Sequence, residues 1–92
     1  MGKDLMQTTL QENDMVKVHM YDHTGREIHT NNYDKLFKVY EHDGKLGIDW
    51  TENQFTPFEH FAYSVIFENV ETGKTFYFDN ISNSVVEQHK ES

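Results

Sequence analysis

The dipeptide Asp43-Gly44 lies within 36–50, a segment that alternates apolar and polar residues on both sides of it. An Asp-Gly pair in that setting is the strongest short-range signal for a β-hairpin, because both residues tolerate the positive φ angles of a two-residue turn. Such a turn also fixes the register of the two strands. The chain must therefore fold around at least one antiparallel pair.

The register set by this turn is supported by the side chains that it brings together. The predicted cross-strand pairs are Phe37 with Trp50, Lys38 with Asp49, Val39 with Ile48 and Tyr40 with Gly47. An aromatic pair, an opposite-charge pair and an aliphatic pair agree with one another, and a slip of one residue would destroy all three.

A first hairpin is predicted over 15–30, where apolar and polar residues alternate before a turn at 22–25. Asp is suited to the first position of the turn, and Gly25 is suited to a positive φ. With Gly25 in a bulge, the expected pairs are Met20 with Ile28 and Val18 with Thr30.

A third hairpin is predicted over 63–79, with Thr72-Gly73 as its turn. A two-residue loop pairs Phe67 with Phe78 and Glu71 with Lys74. The strand over 63–70 has apolar residues on both faces, and such a strand is usually central in its sheet.

Residues 57–62 carry a pattern that predicts a short helix. Thr56 is suited to the N-cap, Pro57 to the first helical position and Glu59 to the partner position of a capping box. A strand is expected to follow directly.

The chain is expected to form a single domain, 1–92, with a mobile leader at 1–14 and a short helix or a frayed tail at 81–92. We predict a mainly β fold, a small antiparallel sheet or curled barrel of three hairpins. It has about six strands and one short helix. An α+β arrangement is the alternative.

The carboxylates are concentrated in the second half of the chain. Residues 41–92 hold ten acidic and three basic side chains, and the whole chain has a net charge of -8. Such a charge repels nucleic acid and anionic membranes and attracts basic surfaces. Because the sequence has no cysteine, no secretory signal and no long apolar run, the chain is expected in the cytoplasm.

Motifs for nucleophilic catalysis, phosphate binding and dinucleotide binding do not occur in the sequence, so we expect no enzyme activity and no cofactor. The charge instead predicts a module that docks electrostatically on a basic partner protein. The candidate partner-binding residues are acidic side chains of the downstream half: Glu41, Asp43, Glu52, Glu59, Glu68 and Glu71.

Nucleic-acid-binding proteins are the commonest source of a large basic patch, so the expected partner belongs to that class. The module would occupy the nucleic-acid surface of the partner as a mimic of DNA. In size and charge alone, it resembles the small acidic inhibitors of phages and mobile elements.

Two other functions remain open at this point. The aromatic residues, 14% of the chain, can line a site for a small ligand or a peptide, with the acidic charge serving only solubility. An exposed edge strand can also pair with a partner or with a second copy of the chain, which predicts a homodimer.

Six histidines raise the question of a metal site. In the register of the first hairpin, His19 and His29 lie opposite each other, so they are weak candidates for metal ligands. Exposed histidines on a polar face need no ligand, and we expect no metal. Two facing imidazoles would repel each other when protonated, which predicts that acid destabilises this hairpin.

Overall fold

The computed structural model describes residues 9–32, 34–62 and 64–88. In this part of the chain, nine antiparallel strands form two sheets. The strands are β1 (Met15–Tyr21), β2 (Glu27–Ile28), β3 (Phe37–Lys38), β4 (Tyr40–His42), β5 (Lys45–Thr51), β6 (Gln54–Pro57), β7 (Val65–Asn69), β8 (Thr75–Asp79) and β9 (Ser84–Glu87). The mainly β class is confirmed. Of the two expected forms, the described strands form antiparallel sheets and not a closed barrel, and they number nine and not about six.

Six of the described strands form the larger sheet, in the order β2-β1-β7-β8-β9, and β3 also pairs with β1. The strand β7 lies between β1 and β8, as its apolar residues on both faces predict. Val65, Ile66 and Phe67 are all buried. The pairing of β1 with β7 sets Val18 opposite Phe67 and His19 opposite Ile66.

The smaller sheet consists of β4, β5 and β6. Its first hairpin turns at Asp43 and Gly44, whose φ angles of 55° and 80° are both positive, as a two-residue turn of this kind requires. The predicted pairing of Tyr40 with Gly47 is confirmed.

Farther from this turn, the predicted register is wrong because the chain leaves the smaller sheet. Phe37 joins β1 of the larger sheet, so its backbone does not pair with that of Trp50, although the centroids of the two rings are 5.5 Å apart. The backbone of Val39 exchanges hydrogen bonds with residues 13–14 and not with Ile48. One continuous alternating segment therefore contributes strands to both sheets.

The predicted ion pair of Lys38 with Asp49 is also wrong. Lys38 lies opposite Met15 on β1, and Asp49 lies opposite Phe55 on β6. The Asp49 carboxylate instead accepts a hydrogen bond from the hydroxyl of Tyr40.

The core takes side chains from both sheets and from the chain before β1. The ring of Phe67 packs edge-on against Phe58 and Phe61, with centroid distances of 4.7 and 5.1 Å. Leu10 is 1% exposed. The end of the segment 1–14, predicted as a leader, thus contributes to the core, and residues 1–8 lie outside the described residues.

The third hairpin forms at the predicted place, but its register is shifted by two residues. Phe67 lies opposite Phe76 and not opposite Phe78. The loop is longer because the Asn69 side chain accepts hydrogen bonds from the N–H groups of residues 71 and 72, at 2.9 and 3.3 Å. A shift of two residues keeps every side chain on its face, so the same apolar face is buried.

This longer loop also separates the predicted pair of Glu71 and Lys74. The N–H of Asn69 donates to the carbonyl oxygen of Lys74 at 2.8 Å. Glu71 then lies in the loop itself, where its side chain is exposed.

The first hairpin has the predicted turn and the predicted pairing of Met20 with Ile28. The pairing of Val18 with Thr30 is wrong, because β2 ends at Ile28.

The helical segment predicted at 57–62 is a single 3-10 turn, Phe58–His60. Thr56 does not cap it, because this residue lies in β6 opposite Ile48, and Pro57 takes the cap position without a side-chain hydrogen bond. No helix in the described part of the chain has the length and the apolar character needed to cross a membrane.

The segment predicted as a short helix or a frayed tail, 81–92, contains a strand. β9 pairs with β8 and sets Val85 opposite Phe78. The predicted helix is therefore wrong for these residues, because β9 is a strand whose Val85 packs on the core. Residues 89–92 lie outside the described residues.

Candidate functional site

The outward face of the larger sheet carries an open cavity of about 880 Å³. Strands β2, β1 and β7 form its floor, and the turn after β1 contributes to its rim. Among the described residues that line it, three are carboxylates and none is Lys or Arg. The side chains that define the cavity here are His19, Tyr21, Asp22, Glu27, Ile66 and Glu68. We call it the acidic cavity.

The alternation of β1 places two polar side chains in this cavity. Because Val18 and Met20 face the core, His19 and Tyr21 point to the opposite face of the sheet. Ile66, opposite His19 on β7, forms an apolar floor and is only 8% exposed.

The turn after β1 fixes a carboxylate at the rim. The side chain of Asp22 accepts hydrogen bonds from the hydroxyl of Thr24 at 2.6 Å and from the N–H groups of Thr24 and Arg26, both at 2.9 Å. The Thr24 hydroxyl makes the largest contribution to a lowered pKa of Asp22. The rim therefore carries a negative charge at neutral pH.

His19 lies between two carboxylates that come from different strands. Its Nδ1 is 3.0 Å from Oε2 of Glu27 on β2, and its Nε2 is 2.9 Å from Oε1 of Glu68 on β7. Carboxylates only accept hydrogen bonds, so both ring nitrogens donate only when the imidazole is protonated. This arrangement is a carboxylate–imidazolium–carboxylate row across three neighbouring strands.

The two carboxylates control the ionisation of their neighbours. Burial opposes the charge of His19, but the hydrogen bonds and negative charges of Glu27 and Glu68 outweigh it and raise the pKa of His19. Burial, followed by the same two charges, raises the pKa of Tyr21. The cavity is therefore a site of negative potential that favours cations.

The two histidines proposed as weak metal ligands do not form a metal site in the described residues. Both ring nitrogens of His19 are occupied by carboxylates, and Nε2 of His29 is 4.0 Å from Oε1 of Glu27. Within the described ranges, no group of three His, Cys, Asp or Glu side chains has the arrangement needed to hold a metal ion.

The expected acid sensitivity of the first hairpin has the wrong sign, because His19 faces carboxylates. A histidine whose pKa is raised by folding stabilises the protein fully below its unfolded value of about 6.5. That contribution is lost as the pH rises through the raised pKa. We therefore expect the melting temperature of the wild type to fall relative to that of His19→Asn over the pH range from about 6.5 upward.

Thermal melts of both proteins across this range test the expectation. Titration of groups that are not coupled to His19 cancels in the difference between the two proteins. A difference that stays constant with pH would show that the carboxylates do not stabilise the imidazolium.

The six acidic residues proposed for partner binding are distributed over both sheets and their loops. Glu68 lines the acidic cavity, and Glu71 lies in the loop that follows β7. The other four, on or beside the smaller sheet, are Glu41, Asp43, Glu52 and Glu59. Asp43 precedes β5 and Glu52 follows it, so about 20 Å of strand separates them.

Glu59 is engaged by a cation of the smaller sheet. Its Oε2 is 2.9 Å from Nζ of Lys45, and the hydrogen bond from Lys45 is the main cause of a lowered pKa of Glu59. Glu41, by contrast, is an exposed residue of the edge strand β4.

The acidic cavity also contains two carboxylates outside the predicted partner-binding set. Asp22 and Glu27 belong to the half of the chain with little net charge. A prediction based on the net charge of each half therefore does not identify them. The first hairpin's register does place Glu27 near the outward face. The contact of Glu68 with His19 cannot be predicted from local sequence patterns, because the two residues are 49 positions apart in the chain.

A second outward surface, on the smaller sheet, is aromatic. The ring of Phe55 packs against Tyr40 and His42, with centroid distances of 5.0 and 5.1 Å, and it covers Gly47. The rings thus contact one another and the glycine beneath them. Packing over a strand glycine is sufficient to explain this cluster.

Comparisons with known proteins do not assign a role to this chain, so the residues of the acidic cavity are the basis for proposing one. No family model matches the chain, and no curated protein and no solved structure is found to be similar to it.

Proposed function

We propose that this protein is a non-enzymatic binding module that takes a basic segment of a partner protein into the acidic cavity. The observation that carries the proposal is the lining of the cavity. Asp22, Glu27 and Glu68 are brought together on one concave face, and the described lining contains no Lys or Arg.

The charges around the cavity add to this support. Lys17 lies opposite Glu68 on the same outward face, but its Nζ is 3.7 Å from a carboxylate oxygen of Asp34. His19, when protonated, is a cationic group in contact with Glu68. The net charge of -8 steers cationic surfaces toward the protein from a distance and raises the association rate at low salt.

We further propose that the partner is a nucleic-acid-binding protein, because such proteins present the largest basic patches. The module then occupies a surface that phosphates otherwise contact. Short duplex DNA should displace the module from such a partner, and a partner that holds both at once would contradict this part of the proposal.

The alternative of an aromatic-lined ligand site has less support from the packing. Tyr21 is the one aromatic residue among the described residues that line the cavity. Trp50 packs between Phe37 and Phe61 in or beside the core, with centroid distances of 5.5 and 5.8 Å.

Neutralising the carboxylates of the cavity should weaken the binding of a cationic peptide. We expect Glu27→Gln/Glu68→Gln to raise the Kd of a fluorescein-labelled oligo-arginine peptide about fivefold to tenfold, because each exposed charge pair contributes up to about 1 kcal/mol. Fluorescence anisotropy at low and high salt measures this effect.

The matched control is Glu41→Gln/Glu52→Gln, which neutralises the same number of carboxylates on or beside the smaller sheet. We expect this variant to bind the peptide almost as the wild type does. Equal weakening by both double variants would mean that net charge alone attracts the peptide. That result would overturn the cavity as the binding site.

A further inference from the structure

At the centre of the acidic cavity, His19 becomes a cation when its ring is protonated. Glu27 and Glu68 each hydrogen-bond one of its nitrogens, at 3.0 and 2.9 Å. These are the same two carboxylates that a basic partner would contact in the function proposed above. The partner's cation and the proton of His19 therefore compete for one pair of charges.

We propose that the acidic cavity exchanges the proton of His19 for a cationic group of its partner, so that binding releases a proton and strengthens as the pH rises. This inference rests on the proposed function and adds its regulation. The cationic group is an ammonium or a guanidinium, the two side-chain cations that carboxylates bind most directly.

The exchange follows from the hydrogen-bonding capacity of imidazole. A neutral imidazole has one N–H, so it can donate to Glu27 or to Glu68 but not to both. Loss of the proton frees one carboxylate to accept from the partner. It also changes the charge of the three side chains from -1 to -2, which strengthens the attraction for a cation.

The described groups around His19 do not provide a second cation that could pair with Glu27 and Glu68 when His19 loses its proton. On its own strand, Lys17 is engaged by Asp34 and Tyr21 is neutral at physiological pH. His29 lies beyond Glu27, at 4.0 Å from the other carboxylate oxygen. The charged and titratable groups around the ring lie on β1, β2, β7 and the rim, and directly after β2. They are Lys17, Tyr21, Asp22, His23, Glu27, His29 and Glu68.

The test is the pH dependence of binding to the oligo-arginine peptide, measured by anisotropy at constant ionic strength. Arginine stays charged throughout, so the peptide itself does not titrate. We expect the affinity of the wild type to rise severalfold between about pH 6 and about pH 8.5, with a limit of tenfold per pH unit for one exchanged proton.

His19→Asn should bind the peptide with an affinity that varies much less with pH than that of the wild type. The control His60→Asn, on the 3-10 turn, should keep the pH dependence of the wild type. An unchanged pH dependence in His19→Asn would assign the effect to another group and overturn the inference.

A second measurement uses the wild type alone and does not depend on whether His19→Asn folds. Calorimetric titrations in two buffers with different ionisation enthalpies, near the pKa of His19, should show release of up to one proton per bound peptide. Binding without proton release, at an affinity that is constant with pH, overturns the inference and leaves the proposed function intact. Failure of the wild type to bind the peptide at every pH overturns both.

Discussion

Phe67→Ala should lower the free energy of unfolding by about 3–5 kcal/mol, the usual cost of deleting a fully buried aromatic ring. Phe67 is 0% exposed and lies on the central strand of the larger sheet. Its ring meets Phe58 and Phe61 edge-on, so the substitution removes two aromatic contacts and leaves a cavity. A domain of this size has a total stability of about 5–15 kcal/mol, so this loss is a large part of it.

Chemical denaturation followed by far-UV circular dichroism measures the change. Phe67→Leu retains most of the volume and should lose less, which keeps the test informative if the alanine variant does not fold. Ile81→Ala is the exposed control, because Ile81 is 95% exposed and its truncation should change stability by less than about 0.5 kcal/mol. A loss below about 1 kcal/mol in Phe67→Ala would mean that this ring is not at the centre of the core.

The features that the sequence predicts correctly are set by neighbouring residues. The turn at Asp43-Gly44 fixes the pairing of Tyr40 with Gly47, and the turn before β2 fixes the pairing of Met20 with Ile28. In both hairpins, backbone preferences of a few adjacent residues determine the geometry. Each predicted register is correct near its turn. It is wrong farther from the turn, where the strand ends or pairs with a different strand.

The features that the sequence does not predict depend on contacts distant along the chain. Val39 continues the alternating pattern of its segment, but its backbone bonds to residues 13–14 and the chain passes between the sheets there. In the third hairpin, the side chain of Asn69 stabilises a longer loop than Thr72-Gly73 suggests. A pattern of apolar residues fixes the face of a strand, but it does not fix which strand becomes its neighbour.

The same limit applies to the candidate site. The acidic cavity depends on the pairing of β1 with β7, which brings Glu68 to His19 across 49 residues. Alternation on β1 predicts that His19 is outward, and hairpin geometry predicts Glu27 beside it. The contact of Glu68 with His19 is known only from the folded structure. This contact adds a second carboxylate to the pair of His19 and Glu27 and completes the site.

Gly47→Ala should destabilise the protein by at least about 3 kcal/mol, at or beyond the upper end of the cost of overpacking. A Cβ atom at Gly47 would lie 2.2 Å from the carbonyl oxygen of Thr56 and 2.7 Å from Cα of Pro57. Both neighbours are backbone atoms of β6, so neither can move without shifting the strand. Without such contacts, a glycine-to-alanine change at a compatible backbone position stabilises a protein by about 0.4–1 kcal/mol. Gly47→Ala should therefore destabilise the protein, whereas an unhindered glycine-to-alanine change stabilises it.

A double variant separates the backbone contacts from the aromatic one. The ring of Phe55 is also close to this position, at 2.9 Å, but a side chain can rotate away. Phe55→Ala should therefore fail to rescue Gly47→Ala in thermal melts. Gly44→Asn is the control for the loss of a glycine, because open space surrounds Gly44 and asparagine tolerates its positive φ. Full rescue by Phe55→Ala would mean that β5 and β6 can separate enough to admit a methyl group, and that the ring alone sets the requirement for glycine.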